Sequence, residues 1–171
     1  MAELILDAGP LITACKFTVA GRLLVDYLLD CREIAVAESV RDEVVLAGTR
    51  YPDARAAHQR IESRQIAVLA PPEQPDIRAL LQHYDLGVGE RDTLLLGYHL
   101  TLPQATLVID DHLAYLVSDR LGQRKRFLLD VVLDLADATE LDRARAVEIV
   151  QMVRPRYPVA FIEHTLTLLR R

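Results

Sequence analysis

The chain has 171 residues, of which 51% are hydrophobic and 26% are charged. This composition is that of a folded globular protein, and it excludes disordered and fibrous classes. Twenty Lys and Arg against 25 Asp and Glu give a formal net charge of −5, which argues against a surface built to neutralise phosphates. Only Lys16 and Lys125 are lysines, so the basic residues are mostly arginines, whose planar guanidinium suits bidentate phosphate contacts.

The cysteines and the apolar segments indicate the cellular compartment of the protein. Cys15 and Cys31 do not form a CxxC pair, and no cluster of Cys and His has the spacing of a structural zinc site. The N-terminus lacks the basic start and long apolar run of a signal peptide. The apolar segment 127–136 is interrupted by Asp130 and Asp134, so it is too short to span a membrane. The sequence predicts a reduced, cytoplasmic protein without a membrane segment.

Short apolar runs alternate along the chain with segments of helical periodicity. The run ELILD is closed by Gly9 and Pro10, which predicts a buried strand ending at Asp7. Strands alternating with helices predict an α/β fold with a largely parallel central sheet flanked by helices. Further strands are expected at 34–37, 66–69 and 106–110, with 124–129 as a candidate last strand. Helices are expected from residue 11, at 20–31, from Ser39, at 52–63, 77–84, 90–99 and 111–121, from Thr139 and after Pro158.

Residues 139–171 are predicted to form the C-terminal helices of the same domain. The last of these helices has Phe161, Ile162, Leu166 and Leu169 at helical spacing, which predicts a buried apolar face. That face packs either on the core or on a partner, and the pattern does not choose between the two.

Acidic residues follow the predicted strands at the edge where open α/β sheets hold their ligands. Two such positions are the end of the first strand and the end of the strand at 106–110. Other acids lie inside one helix and in the first turn of another, directly after a glycine-rich turn. The six acids come from four stretches of chain: Asp7, Glu43, Glu90, Asp92, Asp110 and Asp111.

Each acid alone also has an ordinary structural explanation. An Asp after a strand often caps a helix, acids in a first turn suit the helix dipole, and a lone Glu is usually solvated. If the side chains converge, two carboxylates about 4 Å apart repel by roughly 4 kcal/mol at an effective dielectric near 20. Such a cluster requires a divalent cation or shared protons. Oxygen ligands without His or Cys favour Mg²⁺ or Mn²⁺ over zinc.

Four segments resemble the acidic signature of PIN domains, the fold of metal-dependent ribonucleases. The resemblance is closest to the VapC-type toxin ribonucleases and related prokaryotic proteins, and it runs from Glu3 to about Gly122. It implies a PIN-like three-layer fold in which residues 1–171 form a single domain. The segments are LILDAGPLI, SVRDEVV, GVGERDTLLLG and TLVIDDHLAYLVSDRLG.

The resemblance implies an endoribonuclease that uses Mg²⁺ or Mn²⁺ to hydrolyse RNA phosphodiester bonds, plausible as the toxin of a toxin–antitoxin pair. RNA, a small antitoxin and a second copy of the chain are the implied partners. The choice between Glu90 and Asp92 stays open, since each has a counterpart in some branch of the family. The implied catalytic acids are Asp7, Glu43, Asp92 and Asp111, and Glu90 and Asp110 complete the implied metal ligands.

Substrate contacts are expected near the same acids. Arg91, His112 and Tyr115 are the candidates, although Arg91 alternatively orients an acid and Tyr115 alternatively belongs to the core. The arginine-rich stretches 50–64 and 120–126 are further candidates, with a solvated helix face as the alternative. Without the six site acids, 19 acidic residues remain against 20 basic ones, so the acidity is predicted to be local to the metal site.

Two departures from the family pattern bear on activity. Ile109 stands where the toxin branch commonly has Thr or Ser, and His112 and Tyr115 stand where a related branch has basic residues. The alternative function is therefore a PIN-like module that binds nucleic acid or a partner with weak or lost nuclease activity. A dinucleotide site is excluded because Asp92 replaces the third glycine of the motif, and a serine hydrolase is excluded because no nucleophile elbow is present.

Overall fold

The computed structural model describes residues 2–48, 50–99 and 102–171. The fold alternates strands with helices, because short β-branched runs are separated by longer segments that each have one apolar face. The strands are β1 (Leu4–Leu6), β2 (Thr18–Val19), β3 (Arg22–Leu23), β4 (Ile34–Ala37), β5 (Ile66–Leu69), β6 (Thr106–Val108) and β7 (Lys125–Arg126). The helices are α1 (Ala8–Lys16), α2 (Leu24–Cys31), α3 (Glu38–Gly48), α4 (Pro52–Glu62), α5 (Pro75–Leu81), α6 (Val88–Leu96), α7 (His112–Arg120), α8 (Leu128–Asp137), α9 (Arg143–Met152) and α10 (Val159–Leu169).

Five of the strands form one parallel sheet in the order β5-β4-β1-β6-β7. β1 lies in the middle, where Leu4 pairs with Ile34 of β4 on one side and Thr106 of β6 on the other. Helices cover the sheet, so β1 and β4 are buried along their whole length, as expected for parallel strands. The predicted α/β fold with a parallel central sheet flanked by helices is confirmed, and it brings the carboxyl ends of β1, β4 and β6 to one edge.

Several predicted elements have different boundaries in the structure; for example, the helix predicted from Thr139 begins at Arg143, with Asp142 as its N-cap. The predicted helix at 20–31 begins only at Leu24, because Ala20 and Gly21 adopt positive φ angles of 48° and 78° in the turn of the antiparallel β2–β3 hairpin. The candidate strand at 124–129 is confined to β7, and α8 begins at Leu128. The acids that interrupted this apolar segment lie on the outer side of α8, and Asp130 accepts a hydrogen bond from the Phe127 N–H at 3.3 Å.

The C-terminal helices pack on the body of the protein. α10 contacts α8 and α9, and α9 also contacts β2. Ile162, Leu166 and Leu169 are buried as expected, whereas Phe161 is 47% exposed. None of the helices in the described ranges is long and apolar enough to cross a membrane.

Candidate metal centre

Asp7 stands at the carboxyl end of the central strand, where the chain turns into α1. Its backbone N–H donates to the carbonyl of Val108 at 3.1 Å, and its own carbonyl accepts from the N–H of Leu11 at 3.1 Å. The side chain makes no capping bond to α1 and is only 5% exposed. The backbone therefore fixes a carboxylate that points into the protein at the sheet edge.

Helix α6 presents two polar side chains to Asp7. The Thr93 hydroxyl donates to Asp7 Oδ1 at 3.4 Å and is fully buried. Glu90 lies three residues earlier, on the same face of the helix, and its charge acts on Asp7. Thr93 was not among the predicted site residues; its spacing places it on the helix face of Glu90, but no local pattern pairs it with Asp7.

Glu43 reaches this region through a close approach between α3 and α6. A Cβ atom added at Gly89 would lie 3.2 Å from Glu43 Oε2 and 3.3 Å from Val40 Cγ2. Glycine at this position therefore gives the Glu43 carboxylate its room beside the first turn of α6. The partial positive charge of a helix N-terminus favours a carboxylate there.

The pKa of Asp7 is raised to about 7, mainly by burial and additionally by the negative charges of Glu90 and Glu43. The Ala8 backbone and the Thr93 hydroxyl oppose this shift by hydrogen bonding to the carboxylate. The nearby charges that act most on Asp7 are thus acidic, as expected for a site that binds a cation. Carboxylates and a hydroxyl are hard oxygen donors, so the donor set fits Mg²⁺ or Mn²⁺.

The carboxylates of this site are not close enough to one another to coordinate a single metal ion together. Among the described residues, no three His, Cys, Asp or Glu side chains form a group close enough to hold a metal ion. One reason is that Glu90 Oε2 accepts a hydrogen bond from the Gly87 N–H at 2.7 Å, which occupies this oxygen at the start of α6. Binding a cation therefore requires the Glu90 side chain to exchange that bond or to use its other oxygen.

Asp92 lies on a different face of α6 from Glu90, because two residues along a helix differ by about 200° around its axis. Its Oδ1 atom is 3.7 Å from Nη1 of Arg78, in α5. The structure thus brings Glu90 towards Asp7 and places Asp92 against α5.

Asp110 and Asp111 have separate environments although they are adjacent. Asp110 Oδ2 accepts from the Tyr157 hydroxyl at 2.5 Å, and Oδ1 accepts from the Leu128 N–H at 3.1 Å. Burial raises the pKa of Asp110, and these two hydrogen bonds oppose the rise. Leu6 pairs with Val108, so Asp7 is level with residue 109, and side chains alternate between sheet faces. Asp110 therefore faces the C-terminal helices and away from Asp7.

Asp111 lies at the same sheet edge and is exposed. It is the N-cap of α7, where its Oδ1 accepts from the Ala114 N–H at 2.8 Å. Ile109 is buried in the core and offers no polar group to the site. The hydroxyl group that donates a hydrogen bond to Asp7 instead belongs to Thr93, in α6.

A family model described as a PIN domain matches residues 3–168, which is nearly the whole chain. The chain is a PIN domain. PIN domains are generally nucleases that act on nucleic acids and typically use divalent metals. Comparison with curated proteins and with solved structures gave no significant match.

The proposed substrate contacts of this PIN domain have different surroundings. His112 is exposed at the first residue of α7. The Tyr115 ring stacks on Phe127, with 4.2 Å between centroids and 3° between planes, and Lys125 Nζ is 5.2 Å from its centroid. Tyr115 is thus already engaged within the protein, while Arg91 lines a cleft between α5 and α6.

Several members of the arginine-rich stretches of this PIN domain are held in ion pairs. Arg60 binds Asp26 with 2.7 Å between Nη2 and Oδ1, and it is mostly buried. Arg126 Nε lies 2.8 Å from Asp134 Oδ2. These paired side chains stabilise the local structure, so they are weaker candidates for contacts with a nucleic acid than an unpaired arginine.

We expect Tyr157→Phe to destabilise the PIN domain by about 1–3 kcal/mol, because it leaves a buried carboxyl oxygen of Asp110 without its hydrogen-bond partner. Tyr98→Phe is the matched control, since the Tyr98 hydroxyl is 3.5 Å from its acceptor, the Leu121 carbonyl. Urea denaturation of both variants measures the difference. Equal stability losses in the two variants would show that the Asp110 to Tyr157 bond does not fasten the C-terminal helices to the sheet edge.

Proposed function

We propose that this PIN domain is an endoribonuclease that depends on Mg²⁺ or Mn²⁺, with Asp7, Glu43 and Glu90 as the acids around the metal. The observation that carries the proposal is that Asp7, buried at the carboxyl end of the central strand, has Glu90 and Glu43 as the acids whose charges act on it. Asp111, exposed at the same edge, is the fourth acid. A bound divalent cation supplies an activated water and stabilises negative charge on the phosphate.

The chain's own groups prepare the site. The Thr93 hydrogen bond fixes the orientation of the Asp7 carboxylate, so that its position does not depend on solvent. Glu43 and Glu90 come from separate helices, and the Gly89 contact keeps those helices close. In this proposal Asp92 and Asp110 serve roles outside the metal site, as partners of Arg78 and Tyr157.

The proposal extends to a toxin role with a small antitoxin and a homodimer as partners, and to a cytoplasmic location. It is supported by the resemblance to VapC-type toxins and by exposed apolar side chains at the start of α10. Val159 is 66% exposed and Phe161 is 47% exposed, which leaves apolar surface for a protein partner.

The test is cleavage of a labelled single-stranded RNA. We expect cleavage with Mg²⁺, none with EDTA, and a loss of at least about tenfold in Asp7→Asn and Glu90→Gln, because each change removes a negative charge that holds the cation. Glu62→Gln is the control, since it removes the same charge from an exposed position of α4. Equal rates with Mg²⁺, with EDTA and in Asp7→Asn would disprove the nuclease and favour the binding module.

A further inference from the structure

A cleft of about 190 Å³ lies between α5 and α6, on a face of α6 directed away from Asp7. Its α6 wall carries Val88, Asp92 and Leu95, spaced as one helix face, whereas Glu90 and Thr93 lie on the face directed to Asp7. The cleft is lined by Arg78, Leu81, Gln82, Val88, Arg91, Asp92 and Leu95.

The charges of this cleft do not balance. Its lining residues include two positively charged side chains, Arg78 and Arg91, and one negatively charged side chain, Asp92. The pair between Arg78 and Asp92 is long, at 3.7 Å, and the Arg78 side chain is 48% exposed. Arg91 is half-buried, and within the described ranges its guanidinium has no carboxylate in salt-bridge distance. One positive charge is therefore left for an anion.

We propose that this cleft binds a backbone phosphate of the RNA, on the other side of α6 from the metal centre. This inference rests on the proposed function, because it assigns a second contact to the same substrate. Guanidinium groups carry forked donors that match phosphate oxygens, and the one acid of the cleft, Asp92, is 3.7 Å from Arg78 and balances only one of the two arginines. Arg91 follows Glu90 directly, so a strand that crosses the first turn of α6 reaches both the cleft and the acids.

The experiment measures binding apart from cleavage. Fluorescence anisotropy gives the Kd of a labelled single-stranded RNA for the Asp7→Asn protein in Mg²⁺, alone and combined with Arg78→Gln or Arg91→Gln. We expect each arginine change to raise Kd about tenfold and to lower the slope of log K against log salt by about 0.7, the value for one lost phosphate contact on a single strand. Arg170→Gln, exposed at the end of α10, removes the same charge and should change Kd less than twofold.

The outcomes separate this inference from the proposed function. If the wild-type protein fails to cleave RNA but the cleft variants bind it more weakly than the Arg170→Gln control, the cleft stands and the nuclease does not. If RNA is cleaved and the cleft variants bind like that control, the cleft is overturned. Absence of RNA binding at low salt also overturns it. Arg91→Lys keeps the positive charge but loses the forked donors of the guanidinium group, so an affinity between those of the wild-type residue and Arg91→Gln supports the proposed geometry. An unchanged melting temperature shows that the variants are folded.

Discussion

In EDTA, Asp7→Asn should be more stable than the wild-type protein at pH 8 and of similar stability at pH 4. The pKa of Asp7 is raised in the folded protein from 3.8 to about 7. The folded state therefore keeps a proton that the unfolded chain releases, and stability is lost as pH rises from about 4 to 7. Each pH unit corresponds to about 1.4 kcal/mol, so the full loss is on the order of 4 kcal/mol. Because asparagine does not titrate, the Asp7→Asn protein does not lose this stability as pH rises.

Urea denaturation at pH 4, 6 and 8 measures this effect as the difference between the two proteins at each pH. Asp85→Asn serves as the control, because it removes an exposed aspartate from the segment between α5 and α6. The free energy of unfolding of this control should change with pH as that of the wild-type protein does, from pH 4 to pH 8. A constant difference between Asp7→Asn and wild type at all three pH values would contradict a raised Asp7 pKa.

Mg²⁺ should raise the melting temperature of the wild-type protein at pH 8, and two variants of α6 should respond differently. At a hundred times its Kd, a ligand adds about 2.7 kcal/mol, which corresponds to a shift of roughly 5–11 °C for a chain of this size. Glu90→Gln should weaken the apparent Mg²⁺ affinity at least tenfold, as changes in groups around a metal commonly do. Asp92→Asn should leave it within about twofold.

These variants form a matched pair, because each removes one negative charge from the same helix, two residues apart. A response lost in Asp92→Asn and kept in Glu90→Gln would place the metal on the side of α6 that faces α5. No shift in the wild-type protein at millimolar Mg²⁺ would indicate a PIN domain whose metal site has been lost.

The strands that run through the core were the easiest part of this fold to predict. Residues 34–37 and 66–69 form strands with the predicted bounds, because apolar runs of that length have few other ways to be buried. Helix α8 was not predicted, because the candidate strand at 124–129 was assigned to its first residues. The spacing of Asp130 and Asp134, four residues apart in an otherwise apolar segment, is nevertheless typical of one helix face, and α8 buries Leu128, Leu129, Val131 and Val132 on the other.

The candidate site was predictable as a set of acids but not in its arrangement. The helical period separates Glu90 from Asp92, yet it does not tell which of them faces the sheet. Likewise, alternation along β6 separates Asp110 from its neighbours only when the register with β1 is known. Thr93 lies 86 residues from Asp7, so their hydrogen bond follows from the packing of α6 on the sheet and has no local signal.

The Asp110 to Tyr157 hydrogen bond also has a consequence during synthesis of the chain. The two residues are separated by 47 positions, so the partner of Asp110 is synthesised well after the sheet strand that precedes it. The edge of the sheet that carries the acids therefore gains its final support only when the segment around Tyr157 docks, and a nascent chain would carry an incompletely fastened site until then.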